Sequence, residues 1–141
     1  MKFHVLIVDD EEMIRENLKA YLEDEGLTVV AVESGEEALQ CLKSGYSFAV
    51  CIMDMRLPGI DGNASIRNLH TLCSHMSFII HTGSSNYALP DDFHNLGISK
   101  TQLHLKPLLD MAPLAAAVRT VIERSASMKN NNDPSNKNTY D

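Results

Sequence analysis

Apolar and polar positions along this chain switch between a strand-like and a helix-like period. Phe3 to Val8 is a β-rich apolar run closed by Asp9 and Asp10, the pattern of a strand buried on both faces of a parallel sheet. A helical stretch follows, with Ile14, Leu18, Tyr21 and Leu22 on one face, charges on the other, and Gly26 as its stop. Leu27 to Val32 reads as the second strand. Ser34, three residues before Glu37, forms a capping-box signature and opens a short helix carrying Ala38, Leu39 and Leu42 that ends near Gly45.

Phe48 to Met53 is a third buried strand, and Leu57-Pro58-Gly59 turns toward Asp61, a candidate N-cap. The next helix presents Ile66, Leu69, His70 and Cys73 on one face, and Ser77 to His81 reads as the fourth strand. Thr82 to Asn86 is polar and loop-like. Pro90 suits the first position of a short helix through Leu96, which Gly97 would stop. Leu103 to Leu105 is the last strand. Asp110 then caps a final helix striped with Leu114, Ala117, Val118, Val121 and Ile122, where Pro113 is tolerated because it lies in the first turn.

Five strand and helix pairs in alternation predict a doubly wound α/β fold, a five-stranded parallel sheet with helices on both faces, because right-handed crossovers place them there. After Met128 the sequence is rich in Asn and has no large aliphatic residue. Residues 1–127 are therefore expected to form the domain, and 128–141 a flexible tail or the start of a linker.

Length agrees with one domain: 141 residues, 44 % of them hydrophobic, with a mean hydropathy of −0.15. There is no long apolar run and no signal-peptide pattern, so a cytoplasmic protein without a membrane partner is expected. Cys41, Cys51 and Cys73 lack metal-ligand spacing and lie in apolar segments, which predicts buried reduced thiols. A formal charge of −7 gives no electrostatic footprint for direct nucleic-acid binding, while permitting cations and basic protein surfaces.

Ligands of open parallel sheets collect at the carboxyl ends of the strands. The polar residues there are Asp9 and Asp10, Asp54, Thr82, and Lys106 followed by Pro107. Each has an ordinary reading alone: either aspartate as a helix cap, Thr82 as a strand end, Lys106 as a solvated lysine. Together they suggest more. Three converging carboxylates in a partly dehydrated cleft repel one another, and a divalent cation relieves that repulsion. Oxygen donors favour magnesium over zinc, and His4, His70, His75, His81, His94 and His104 show no paired metal spacing, which leaves them as solvent or packing residues.

These residues resemble the receiver domain of bacterial two-component response regulators, a CheY-like family. The likeness rests on Leu6 to Glu12, on Met53 to Gly62, on His81-Thr82-Gly83 and on Leu105-Lys106-Pro107, in the family's order, and covers about Lys2 to Arg124. It implies a flavodoxin-like (βα)5 fold with strand order 2-1-3-4-5. It also implies Asp54 as phosphoacceptor, with Asp10, Asp54 and the backbone carbonyl of Arg56 as the magnesium site and Asp9 acting through water.

In that family Lys106 and the metal would neutralise the phosphoryl oxygens during transfer from a phosphohistidine or a small acyl phosphate. The Thr82 hydroxyl would move to meet the new phosphoryl group, biasing the surface around the fourth helix, fifth strand and fifth helix. Met55, Gly83 and Ser84 would lie beside that group, Gly83 because a larger side chain would obstruct it. Arg56 and Ser84 would tune its lifetime. The implied partners are a sensor histidine kinase or phosphotransfer protein and a downstream output protein, with homodimerisation left open. Lys106-Pro107 would be a cis peptide bond.

Two features depart from the family pattern. Leu103 stands where the family usually has the aromatic residue that reports phosphorylation, and Gly97 to Lys106 is about two residues longer than usual. The competing readings are a phosphate-independent interaction module of the same fold and a receiver whose output domain lies elsewhere. A flavin-binding protein of this topology is disfavoured because Asp9-Asp10-Glu11-Glu12 would repel a phosphate.

Overall fold

The computed structural model describes residues 1–57, 59–108 and 110–131, apart from the side chains of 125–131. Strand β1 (Lys2–Val8) lies between β2 (Val29–Val32) and β3 (Ser47–Met53), which is why Val5, Leu6, Ile7 and Val8 are all fully buried. With β4 (Ser77–Thr82) and β5 (Leu103–Leu105) the sheet is parallel throughout, in the order β2-β1-β3-β4-β5.

The two faces of the sheet carry separate cores. Val5, Ile7, Val50, Ile52 and Ile79 pack against Leu18 and Leu22 of α1 (Glu12–Asp24) and Leu114 and Val118 of α4 (Ala112–Asn131). Leu6, Val8, Cys51, Met53, Phe78 and Ile80 pack on the other face with Ala38 of α2 (Gly35–Lys43) and Ile66 and Leu69 of α3 (Gly62–Leu72). The helix starts follow local chemistry. Ser34 accepts the Glu37 amide at 3.1 Å, Asp61 the Ala64 amide at 2.8 Å, and Asp110 the Ala112 amide at 2.9 Å.

The second strand starts at Val29 rather than Leu27. Leu27 N donates to Leu22 O and Gly26 N to Glu23 O, with Gly26 at a φ of 88°, so Leu27 belongs to the Schellman stop of α1. Neither Asp9 nor Asp10 caps α1: the N-cap position is Glu11, which makes no side-chain cap bond. Of the cysteines only Cys51 is fully buried, Cys41 and Cys73 being half-buried, and all three are free thiols.

The fourth connection corrects the expected (βα)5 pattern. Between β4 and β5 lie two 3₁₀ segments, Asp91–Leu96 and Lys100–Gln102, so five strands are accompanied by four α-helices among the described residues. Pro90 and Gly97, the latter at a φ of 79°, bracket too few residues for an established α-helix. The stretch that is long by family spacing holds the second segment, pinned by a bond from Gln102 Nε2 to Phe78 O at 2.9 Å. At the other end α4 continues through Asn131, past the expected boundary at Met128, and 132–141 lie outside the described residues. No described helix is long and apolar enough to cross a membrane.

Candidate functional site

The register aligns the strand ends: Val8 is level with Met53, Met53 with Ile80 and Ile80 with Leu103. Asp9 and Asp54 therefore emerge side by side one residue beyond their strands. Both are buried, at 2 % and 3 % exposure, although they are carboxylates. Lys106 crosses from the end of β5 to meet them. Its ammonium lies 2.8 Å from Asp9 Oδ2, 3.3 Å from Asp54 Oδ2 and 3.2 Å from Glu11 Oε1.

The remaining carboxylate oxygens have short-range partners. Asp9 Oδ1 accepts the Glu11 amide at 2.9 Å, and Asp54 Oδ1 the Arg56 amide at 3.2 Å. Carboxylate oxygens of Asp9, Asp10, Glu11 and Asp54 all fall within 4.8 Å of one another. One ammonium cannot compensate four carboxylates, two of them shielded from water. Burial accordingly pushes the Asp54 and Asp9 carboxyls above the usual range, against the pull of Lys106 and the backbone amides. Burial also works against the Lys106 ammonium, but Asp9, Asp54 and Glu11 outweigh it and hold the lysine more firmly protonated than usual.

Thr82, fully buried, ends β4 beside this cluster, and its carbonyl accepts the Lys106 amide at 2.8 Å. Its hydroxyl accepts the Ser84 amide at 3.2 Å. The Lys106-Pro107 peptide bond is cis. Met55 is buried in the core and Arg56 is exposed. A Cβ added to Gly83 would meet nothing within 4 Å, so the folded chain itself does not require glycine there. Leu103 packs with the core on the α2 and α3 face. Asp9, Asp10, Asp54 and Lys106 thus converge as the sequence suggested, while Leu103 lies apart from them.

The sequence profile of the response regulator receiver domain matches residues 5–119. This chain belongs to the response regulator receiver domain family. A transcriptional regulatory protein of Bacillus subtilis, YkoG, is 30 % identical over 126 residues, covering 89 % of this chain and 54 % of its own length. FixJ of Azorhizobium caulinodans is 31 % identical over 131 residues, covering 92 % and 59 %. The chain therefore spans little more than half the length of these relatives.

Among solved receiver structures, one from Clostridium thermocellum superposes with a TM-score of 0.73 at 27 % identity, covering 89 % of this chain and 98 % of its own. The response regulator TrrA of Thermotoga maritima, solved in complex with Mg2+-BeF, superposes with a TM-score of 0.70 at 30 % identity, covering 86 % and 99 %. The doubly wound fold and the strand order agree with these neighbours.

Sequence reasoning passed over several residues of this receiver site. Glu11 shares Lys106, yet in a run of acidic residues it resembles any solvated helix start. Arg15 donates to the Asp9 carbonyl at 2.9 Å, one helical turn beyond Glu11. Gly62 lies against the loop after β3, where a Cβ would fall 2.5 Å from the Asp54 carbonyl oxygen. Its position after the Asp61 cap was the available signal. Tyr87 donates to Asn63 Oδ1 at 2.6 Å, tying the segment after Thr82 to the first turn of α3.

Proposed function

We propose that this receiver domain accepts a phosphoryl group on Asp54 in a two-component phosphorelay and changes its partner surface in response. The observation that carries the reading is the Lys106 ammonium held between Asp9 and Asp54, because it places a fixed cation beside a buried carboxylate nucleophile. A carboxylate attacks a phosphoryl group poorly unless the charges on both are masked. Asp54 would form the new O–P bond as the P–N bond of a phosphohistidine, or the P–O bond of an acyl phosphate, breaks in line and the leaving group departs. Lys106, already protonated, would pair with a phosphoryl oxygen without moving a proton.

The donor set fits Mg2+. It offers oxygen atoms only, clustered within 4.8 Å, and burial raises the pKa values of two of its carboxylates, Asp9 and Asp54. Asp10, Asp54 and the Arg56 carbonyl would hold the ion, with Asp9 acting through water, in keeping with the engagement of both Asp9 oxygens by Lys106 and the Glu11 amide. Bound there, Mg2+ supplies charge neutralisation for the phosphoryl oxygens.

Thr82 would donate its hydroxyl proton to the phosphoryl group, a donor that its acceptance of the Ser84 amide leaves free. With Leu103 in place of an aromatic reporter, the readout falls on the segment after Thr82, the two 3₁₀ segments, β5 and α4. Arg56 and Ser84 would tune the phosphoryl lifetime; unchanged decay in Arg56→Ala and Ser84→Ala proteins removes that role. The phosphoryl donor would be a sensor histidine kinase or a phosphotransfer protein. An output protein or a second copy of the chain would read the result. The names of the relatives make transcriptional control the output we favour for the protein containing this domain.

Incubation of the chain with Mg2+ and acetyl phosphate, read by intact mass, tests the reading. A gain of one phosphoryl group that vanishes in Asp54→Asn supports it. No gain, under conditions where a known receiver is labelled, favours the phosphate-independent module.

A further inference from the structure

Asp9 is engaged at every polar atom it carries. Its amide donates to Val32 O at 3.1 Å, continuing the ladder between β1 and β2, and its carboxylate is shared between Lys106 and the Glu11 amide. Its carbonyl oxygen lies past the end of β2 at Val32. Arg15, one turn into α1, reaches back to that oxygen and donates from Nη1 at 2.9 Å. Helical side chains lean toward the helix N-terminus, which gives the guanidinium this direction.

A cation is disfavoured near that end of a helix, where the backbone dipole is positive. Nor does an ordinary surface ion pair account for the arginine. Its contact with Glu33 is 3.9 Å long, and the Glu33 side chain is 65 % exposed against 18 % for Arg15. The bond to the Asp9 carbonyl is the short one. That oxygen belongs to the peptide joining Asp9 to Asp10, so the guanidinium fixes one edge of the plane from which the Asp10 side chain departs. Asp10 is exposed, yet a carboxylate oxygen of it falls within the cluster formed with Asp9, Glu11 and Asp54. We infer that Arg15 is a positioning residue for Mg2+: by gripping the peptide between Asp9 and Asp10 it holds the Asp10 carboxylate toward Asp54. The inference rests on the proposed Mg2+ site. Charge alone predicts the opposite effect, because a guanidinium beside the cluster repels a second cation.

Calorimetric titration of Mg2+ into the whole chain tests this, with amide exchange as a readout that needs no metal. Arg15→Met should bind Mg2+ about tenfold more weakly, as loss of a group that orients a metal ligand does. Without metal, exchange should quicken over 10–12 and not in β1 or β3. Saturating Mg2+ should return the rate of labelling by acetyl phosphate to within about twofold of the unaltered chain. Glu33→Gln, which removes only the longer contact, should leave Mg2+ affinity unchanged. Arg15→Gln, too short to reach the carbonyl, takes the place of Arg15→Met if that protein does not fold. Mg2+ binding that is unchanged or tighter in the Arg15 variant would overturn the inference. So would unchanged exchange over 10–12, an equal loss of affinity in Glu33→Gln, or a rate deficit that saturating Mg2+ does not repair. Failure of the unaltered chain to bind Mg2+ would instead overturn the site itself, and the inference with it.

Discussion

Lys106 sits closer to Asp9 than to Asp54, its ammonium lying 2.8 Å from Asp9 Oδ2 and 3.3 Å from Asp54 Oδ2. Asp54 is thus a buried carboxylate with a shared, incomplete counter-charge, and its carboxyl is held above the usual range by burial. For an acid, a pKa raised on folding means that the native state disfavours the ionised form, so at neutral pH the charge opposes folding. Asp54→Asn should therefore raise stability by about 1 kcal/mol in urea unfolding while abolishing phosphoryl incorporation. A fall in stability would show that the Asp54 charge is well compensated.

Removing the ammonium should separate metal binding from chemistry. Lys106→Met leaves Asp9, Glu11 and Asp54 without their shared cation, in a cluster that also holds Asp10. Mg2+ should then bind several-fold more tightly, read by calorimetry, while phosphoryl transfer from acetyl phosphate slows by about 100-fold for want of the fixed positive charge. Weaker Mg2+ binding in this variant would contradict the charge argument.

The bond from Tyr87 to Asn63, at 2.6 Å, fastens the segment after Thr82 to α3. Burial pushes the Tyr87 hydroxyl up to about 12, so it stays protonated as the donor. Tyr87→Phe should cost about 1 kcal/mol in urea unfolding, with faster amide exchange confined to 83–90. Faster exchange spread over the whole sheet would assign the bond a global role instead.

His81 makes stability depend on pH. Its folded pKa of about 4 lies below the ordinary 6.5, so between those values the unfolded chain binds more protons than the native one. Stability should rise with pH across that window, by up to about 3 kcal/mol from this group, and be lost as pH falls. The lowered pKa of His104 acts in the same direction, while the raised carboxyls of Asp9 and Asp54 act in the opposite one. Urea midpoints measured from pH 4 to 7 should show a shallower slope for His81→Leu than for the unaltered chain.

Much of this molecule is legible in its sequence because strands buried on two faces leave continuous apolar runs. β1 and β3 are read to within a residue of their observed starts, and β5 at its observed bounds. Periodicity did not reveal that Leu27 completes the stop of α1, since a Schellman turn and a strand both accept leucine. Nor did it distinguish an α-helix from a 3₁₀ segment between Pro90 and Gly97, where length rather than polarity decides. The site was legible because strand ends concentrate polar residues. Glu11 and Gly62 lie within the motifs that carry the resemblance but had no legible role in the site, for opposite reasons, one hidden among like charges and the other having no side chain to pattern.

Beryllofluoride, which mimics a phosphoryl group on a carboxylate, offers the most direct measurement. Fluorine NMR of the full chain with Mg2+ and beryllofluoride should show a bound signal that disappears in Asp54→Asn and when the metal is chelated. A bound signal that persists in Asp54→Asn, or its absence from the unaltered chain with Mg2+ present, would contradict the assignment of Asp54 as the phosphoacceptor.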